Sequence, residues 1–386
     1  VGSEMCIRDR FQSDDHDVPA LLPLSDGRVL AVYSKHGSDP FTRYRTSQRT
    51  GDISTWAAER TFDWGSGTTY SNLHRLTAIG GETGRIFNFS RTVGNNPNWS
   101  YSDDEGATWH YGGRVLQWTR EDFENDPKFT GMDGTRPYVK YASNGHDEIH
   151  FITTEDHPRA YDNGLWHGVV NVVDDRLLIT YSDGSPIGPL SDEQTTFIKP
   201  TDLTPVFVGD ADNVAWAVDL ELNDRGWPYA AFSVQHGDGD VRTERRAGGA
   251  DMRYGYARWD GERWQAREIA YAGTALYPGE DDYTGLIALD PNDPDVVFIS
   301  TDANPETGEP LISSADGQRH YEIYRGVTTD GGGSWEWTAL TGNSSADNLR
   351  PIVPSWEGGT IVLWLRGTLR TYMDYDTEVV GMVDRR

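Results

Sequence analysis

The chain has 386 residues, with 34 basic against 61 acidic side chains and a net charge of -27. That balance argues against a nucleic-acid binder, which needs a basic face, and without an apolar run of 18 residues no transmembrane helix is expected. A single cysteine, Cys6, excludes a disulfide framework and any metal site built on several thiolates.

Residues 1–10 match nothing around them and read as translated adapter sequence of the kind found at the ends of metagenome gene predictions. They are set aside as non-native, which puts the natural N-terminus and any signal peptide upstream. Residues 11–386 are expected to form one catalytic domain, since no linker divides them. Strand candidates then recur at 28–34, 85–90, 148–154, 177–182, 214–220, 229–234, 253–259, 296–301, 320–326 and 360–366. Each mixes β-branched or aromatic residues with turn signals at its ends. Residues 121–126 suggest a short helix, and 236–250 an inserted loop.

Two turns share one pattern, Ser102-Asp103-Asp104-Glu105-Gly106-Ala107-Thr108-Trp109 and Thr328-Thr329-Asp330-Gly331-Gly332-Gly333-Ser334-Trp335. Small polar residues and Asp cap a tight hairpin, Gly permits positive φ, and Trp is suited to burial between neighbouring sheets. The pattern resembles the Asp-box of BNR-repeat β-propellers. Trp56 and Trp109 lie 53 residues apart, and Trp264 and Trp335 71. Blades of about 40–50 residues with insertions fit this spacing. The expectation is an all-β propeller with Asp-box turns and six or seven blades, seven being preferred. The turns themselves carry no catalytic role.

Candidate chemistry falls in four clusters. His16 stands among Asp14, Asp15 and Asp17 just before a strand, and His36 ends the next one, so both can face one pocket. A loop histidine held by its acids and a surface turn residue are the ordinary alternatives. Tyr70 and Arg91 occupy the far ends of an expected antiparallel pair, which brings them to one edge. A half-buried strand aromatic and a surface ion pair are the alternatives there. In the third cluster Arg136, His150, His157, Arg159 and His167 gather around a strand. Arg159 can grip a carboxylate in two-pronged fashion, whereas His150 suits the strand's packed face. The last cluster holds Arg253, Asp282, His320 and Arg350, and any of these arginines can be structural.

Taken together, the segments 14–20, 33–37, 70–72, 89–91, 96–98, 157–159, 283–291 and 347–354 resemble the BNR-4 family of propeller polysaccharide-active enzymes. Ulvan lyases are its best-described members. The resemblance implies an active centre of two histidines, a tyrosine and an arginine, falling on His16, His36, Tyr70 and Arg91. It also implies a polysaccharide lyase that cleaves rhamnose–uronate linkages of an acidic, sulfated algal polysaccharide such as ulvan. Arg91 would neutralise the uronate carboxylate, Tyr70 would act as base or acid, His16 as the partner acid or base, and His36 would orient or assist. His74, Asn96, His157, Arg159 and Arg253 would bind substrate. Some members carry a structural zinc on Cys and His; here Asn95 stands where such a His is expected, so no metal site is assigned. No catalytic cofactor is expected, and a structural calcium is compatible with the reading. The partner expected is an acidic polysaccharide, with neither nucleic acid nor membrane, acted on by a secreted or periplasmic monomer. The alternatives are a propeller hydrolase or exo-lyase on terminal rhamnose linked to glucuronate, a sialidase using Arg136, Arg253 and Arg350, and a non-catalytic glycan-binding propeller.

Overall fold

The computed structural model describes residues 14–125, 135–193, 196–237, 249–278 and 282–385. The expected non-native segment 1–10, with Cys6, and most of the expected loop at 236–250 lie outside the described residues.

Six antiparallel sheets succeed one another along the chain. The first contains β1 (Ala20–Pro23), β2 (Val29–Ser34), β3 (Phe41–Arg49), β4 (Asp52–Trp56) and β5 (Arg60–Asp63). The second contains β6 (Thr69–Leu76), β7 (Arg85–Arg91), β8 (Pro97–Ser102) and β9 (His110–Arg114). The third holds β10 (Val139–Ser143), β11 (Glu148–Thr153), β12 (Leu165–Val173), β13 (Arg176–Thr180), β14 (Pro186–Pro189) and β15 (Thr204–Phe207). The fourth is β16 (Asn213–Leu222), β17 (Pro228–His236), β18 (Met252–Trp259) and β19 (Trp264–Gly273). The fifth is β20 (Ile287–Asp290), β21 (Asp293–Thr301), β22 (Glu322–Val327) and β23 (Glu336–Ala339), and the sixth β24 (Asp347–Ile352), β25 (Gly359–Thr371) and β26 (Asp374–Arg385). Strands consecutive in sequence pair in turn, except that β5 returns to β3 and β15 to β12, which is the meander of a propeller blade with added edge strands. All ten stretches read as strands overlap one of these, and the short helix is α1 (Arg120–Asn125).

The preference for seven blades is corrected to six. The spacing argument assumed a nearly constant blade length. The third sheet instead takes residues 139–207 and the fourth 213–273, because extra strands and long connections lengthen them.

The chain divides into two compact units. One runs to Pro137 and adds Ser143–His150 and Gly168–Leu203; the other comprises Tyr138–Ala142, Phe151–His167 and Thr204–Arg386. Each contains one of the two repeated turns. In the first unit Ser102 Oγ accepts from Gly106 N at 2.8 Å, and Asp104 Oδ1 accepts from Thr108 N at 2.8 Å. In the second, Thr328 Oγ1 accepts from Gly332 N at 2.9 Å, and Asp330 Oδ1 from Ser334 N at 2.9 Å. Gly106 and Gly332 have φ of 80° and 96°. A Cβ there would lie 2.9 Å from Leu30 and 2.9 Å from Tyr256 respectively, so glycine is required twice over.

The turn tryptophans then pack against the preceding sheet. Trp109 meets Tyr44 edge-on at 6.1 Å, within a core of Leu24, Leu30, Val32 and Ile86. Trp335 meets Tyr256 edge-on at 5.3 Å, beside a core that includes Tyr229, Tyr254 and Leu289. Such an aromatic pair adds roughly 0.5–1.5 kcal/mol beyond the area it buries.

Candidate active site

Strand register builds the first half of the site. β1 and β2 pair with Ala20 opposite Val32. Continued outward, that antiparallel register brings position 16 opposite position 36. The two imidazoles stack there, with centroids 4.1 Å apart and planes 17° apart. Gly37 has φ of 70° and its N–H donates to Thr68 O at 3.0 Å, which ties the end of β2 to the start of β6.

The second half comes from β6 and β7. Thr69 pairs with Arg91, but the register slips before Asn72 pairs with Phe89. Tyr70 lies in that irregularity with φ of 64°, a costly conformation for a bulky residue and one concentrated at functional sites. Ser34 Oγ donates to Tyr70 O at 3.1 Å and holds the kink. The phenol ring thereby lies 6.0 Å from the His16 ring and 6.4 Å from that of His36. The Arg91 guanidinium covers the same phenol at 4.9 Å and places Nη2 3.3 Å from His36 Nε2. The four residues expected from the sequence are thus brought together.

Asp14 joins them, a residue that sequence reasoning noted only as an acidic neighbour. Its carboxylate is buried, with Oδ1 2.6 Å from His16 Nδ1 and Oδ2 2.9 Å from His36 Nδ1. The His16 backbone N–H also donates to Oδ1 at 3.0 Å. The signal available was an Asp two residues before a His at a strand entrance.

The environment splits the two histidines. Burial opposes a charge on His16, yet the Asp15 and Asp14 carboxylates raise its pKa above the usual value. Burial and the neighbouring His16 charge lower that of His36, against the pull of Asp14. For Asp14 burial acts upward, but hydrogen bonds from the His16 backbone and both imidazoles hold it below the ordinary carboxylate range. Asp17, noted in the sequence only as an acidic neighbour of His16, is pushed up to about 6 by burial and by the Asp14 charge.

Asp14, His16 and His36 offer donor atoms within 4.8 Å of one another, a spacing that also suits a metal ion. Tetrahedral ligands about 2.0–2.1 Å from zinc stand roughly 3.3 Å apart. Separations of 2.6 and 2.9 Å are hydrogen-bond lengths.

The residues expected to bind substrate are more dispersed. His74 pairs with Phe87 on β6, packs against Phe89, and has its pKa driven down to about 4 by burial. Asn96 is buried, and its amide donates to Gly94 O at 3.1 Å, bracing its own loop. In the second unit His157 is buried among Tyr138 and Trp216, with Asp282 Oδ2 3.4 Å from Nδ1. Arg159 Nε lies 3.6 Å from the other oxygen of Asp282. Arg253 is ion-paired with Asp251 and Glu268 and lies 3.7 Å over the Tyr271 ring.

Six meander sheets, with this charged cluster at the strand ends of the first two, define an all-β propeller carrying a candidate active site. The chain belongs to a BNR family: the family model described as "BNR repeat-containing family member" matches residues 4–272. No curated protein matches it. Among solved structures it resembles a polysaccharide lyase PL25, an ulvan lyase bound to -[GlcA(1-4)Rha3S]-, at 15% identity and a TM-score of 0.63, covering 96% of this chain and 79% of that one. It also resembles polysaccharide lyase Uly1 at 12% identity and a TM-score of 0.55, covering 96% and 78%. The α-L-arabinofuranosidase Arb93A from Fusarium graminearum matches at 11% identity and a TM-score of 0.50, covering 95% and 92%. At such identities the likeness is one of fold.

Proposed function

We propose that the protein is a polysaccharide lyase that cleaves rhamnose–uronate linkages of an acidic, sulfated polysaccharide such as ulvan by β-elimination. The observation that carries this reading is the meeting of a guanidinium, a phenol and two stacked imidazoles of opposite pKa displacement around one small space. The ulvan lyases of similar fold support the substrate class.

The proton on C5 of a uronate is weakly acidic, and its removal places extra negative charge on the carboxylate. Arg91 receives that carboxylate, because a guanidinium stays charged and matches it in plane. His36, unprotonated at neutral pH through its lowered pKa, takes the C5 proton. The electron pair forms the C4=C5 double bond while the C4–O4 bond breaks. His16, whose protonated form is favoured by the Asp15 and Asp14 carboxylates, protonates the departing O4, with the Tyr70 ring 6.0 Å away to relay or share that proton. The base role is given to His36 because its Nε2 stands 3.3 Å from Arg91 Nη2, beside the place proposed for the carboxylate. His157 and Arg159, in the second unit, are proposed to bind sulfate or uronate groups. A polymer of this kind is met outside the cytoplasm, so a secreted or periplasmic setting fits.

Incubation with ulvan tests the reading. The expected result is a growing ultraviolet absorbance from the conjugated unsaturated uronate. Cleavage that yields only saturated sugars, or no cleavage of any rhamnose–uronate polymer, rejects the lyase.

A further inference from the structure

We infer that Asp14 is the positioning residue of this site, a single carboxylate that fixes the tautomer of both imidazoles. The inference deepens the lyase reading in its mechanistic part, while its structural part stands without it.

The donor and acceptor inventory leaves little choice. An ionised carboxylate only accepts, so each Nδ1 that faces Asp14 must carry a proton. Arg91 only donates, so His36 Nε2, 3.3 Å from its Nη2, must present a lone pair. His36 is therefore fixed from both ends as the neutral Nδ1–H tautomer, with the basic nitrogen on the side of Arg91 and Tyr70. His16 has its Nδ1 proton shared between Asp14 at 2.6 Å and Asp15 at 3.0 Å. That directs its Nε2 away from the carboxylates, so an exchangeable proton on the imidazolium sits there. One buried anion facing two stacked rings also permits one added proton at low cost and opposes a second by like-charge repulsion. The charged groups around Asp14 are His16, His36, Asp15 and Asp17, with Lys35 acting on Asp17 and Arg91 on His36.

Asp14→Asn separates positioning from packing. It keeps the shape but offers one acceptor oxygen and an N–H donor. The amide oxygen can match only one Nδ1–H, and the other imidazole meets an N–H donor that disfavours its Nδ1–H tautomer. Long-range 15N–1H NMR of the full chain reads which nitrogen is protonated. In the wild type both His16 and His36 should carry the proton on Nδ1, and in Asp14→Asn one of them should lose it. Turnover of ulvan should fall on the order of 10²–10⁴-fold in kcat with KM little changed, the size known for groups that orient an imidazole. The pH profile should shift with it. A wild-type His36 protonated on Nε2 alone would overturn the inference, even if the variant fails to fold. So would an Asp14→Asn variant in which both tautomers persist, or in which kcat and the pH profile are those of the wild type. If wild-type protein leaves ulvan intact, the lyase reading fails and the tautomer measurement alone decides the role of Asp14.

Discussion

Arg91 and Arg253 are both arginines laid over a tyrosine, at 4.9 Å from Tyr70 and 3.7 Å from Tyr271. Their partners differ. Arg253 sets Nη1 2.6 Å from Glu268 and Nη2 2.8 Å from Asp251, so two carboxylates cancel its charge and burden its geometry. Arg91 reaches the Nε2 of an imidazole whose pKa is lowered. In a chain with 61 acidic residues, the arginines that matter to an anionic substrate cannot be counted from the sequence.

Replacement of both arginines is the sharpest way to break that contrast. Arg91→Ala should lower kcat/KM for ulvan by on the order of 10³-fold or more, since it removes the group that meets charge developing in the transition state. Arg253→Ala should leave kcat/KM nearly unchanged and lower stability by about 1 kcal/mol, as expected for a partly exposed ion-pair network. Equal losses of activity would mean that both guanidinia serve the substrate. Next in size, His16→Ala or His36→Ala should cost about 10²–10⁴-fold in kcat, the range for general acid–base groups. Tyr70→Phe should cost less if His16 delivers the proton and as much if the phenol does. Steady-state kinetics on the folded variants separates these outcomes.

How far the sequence reached is visible in the same residues. Antiparallel pairing of strand ends suggested that His16 could face His36 and that Tyr70 could meet Arg91, whereas the joining of the two pairs into one centre came from the family resemblance. The alternating strands and the paired Ser102–Trp109 and Thr328–Trp335 turns were legible because local residue types dictate them. Asp14 was read only as an acidic neighbour, because its place two residues before His16 does not by itself separate it from Asp15 and Asp17. The ion pairs of Arg253 were not legible, because Glu268 arrives from the next strand through a register with two shifts. The number of blades was missed because connections in the third and fourth sheets stretch the repeat.

The split between the imidazoles gives a pH signature. Catalysis needs His36 without its proton and His16 with one. His36 has a lowered pKa, so activity should persist below pH 6.5 and fall as pH drops through the His36 value. His16 has a raised pKa, so activity should persist above pH 6.5 and fall as pH climbs through the His16 value. The profile of kcat/KM should be a bell that straddles 6.5 with a broadened plateau. A single limb, with no loss on the alkaline side, would remove His16 as the acid and shift that role to Tyr70.

The smallest effect concerns stability at the edge of the site. Asp17 is raised from 3.8 to about 6 by burial and the Asp14 charge, against the pull of His16, of a hydrogen bond from the His36 backbone and of Lys35. An acid with a raised folded-state pKa binds more protons folded than unfolded between those two values. Its contribution is therefore most favourable below pH 3.8, declines as pH rises through about 6, and stays lower above. Asp14 has the opposite sign: its lowered pKa supports the fold above pH 3.8 and that support is lost as pH falls through its folded value. Asp17→Asn should thus raise stability at pH 8 by about 1 kcal/mol, a figure reduced for the solvent that reaches the side chain, and add nothing at pH 4. Thermal melting at the two pH values checks it. A gain of equal size at both would mean that packing rather than charge governs the position, and the negative field that Asp14 holds over its neighbours would lose its support.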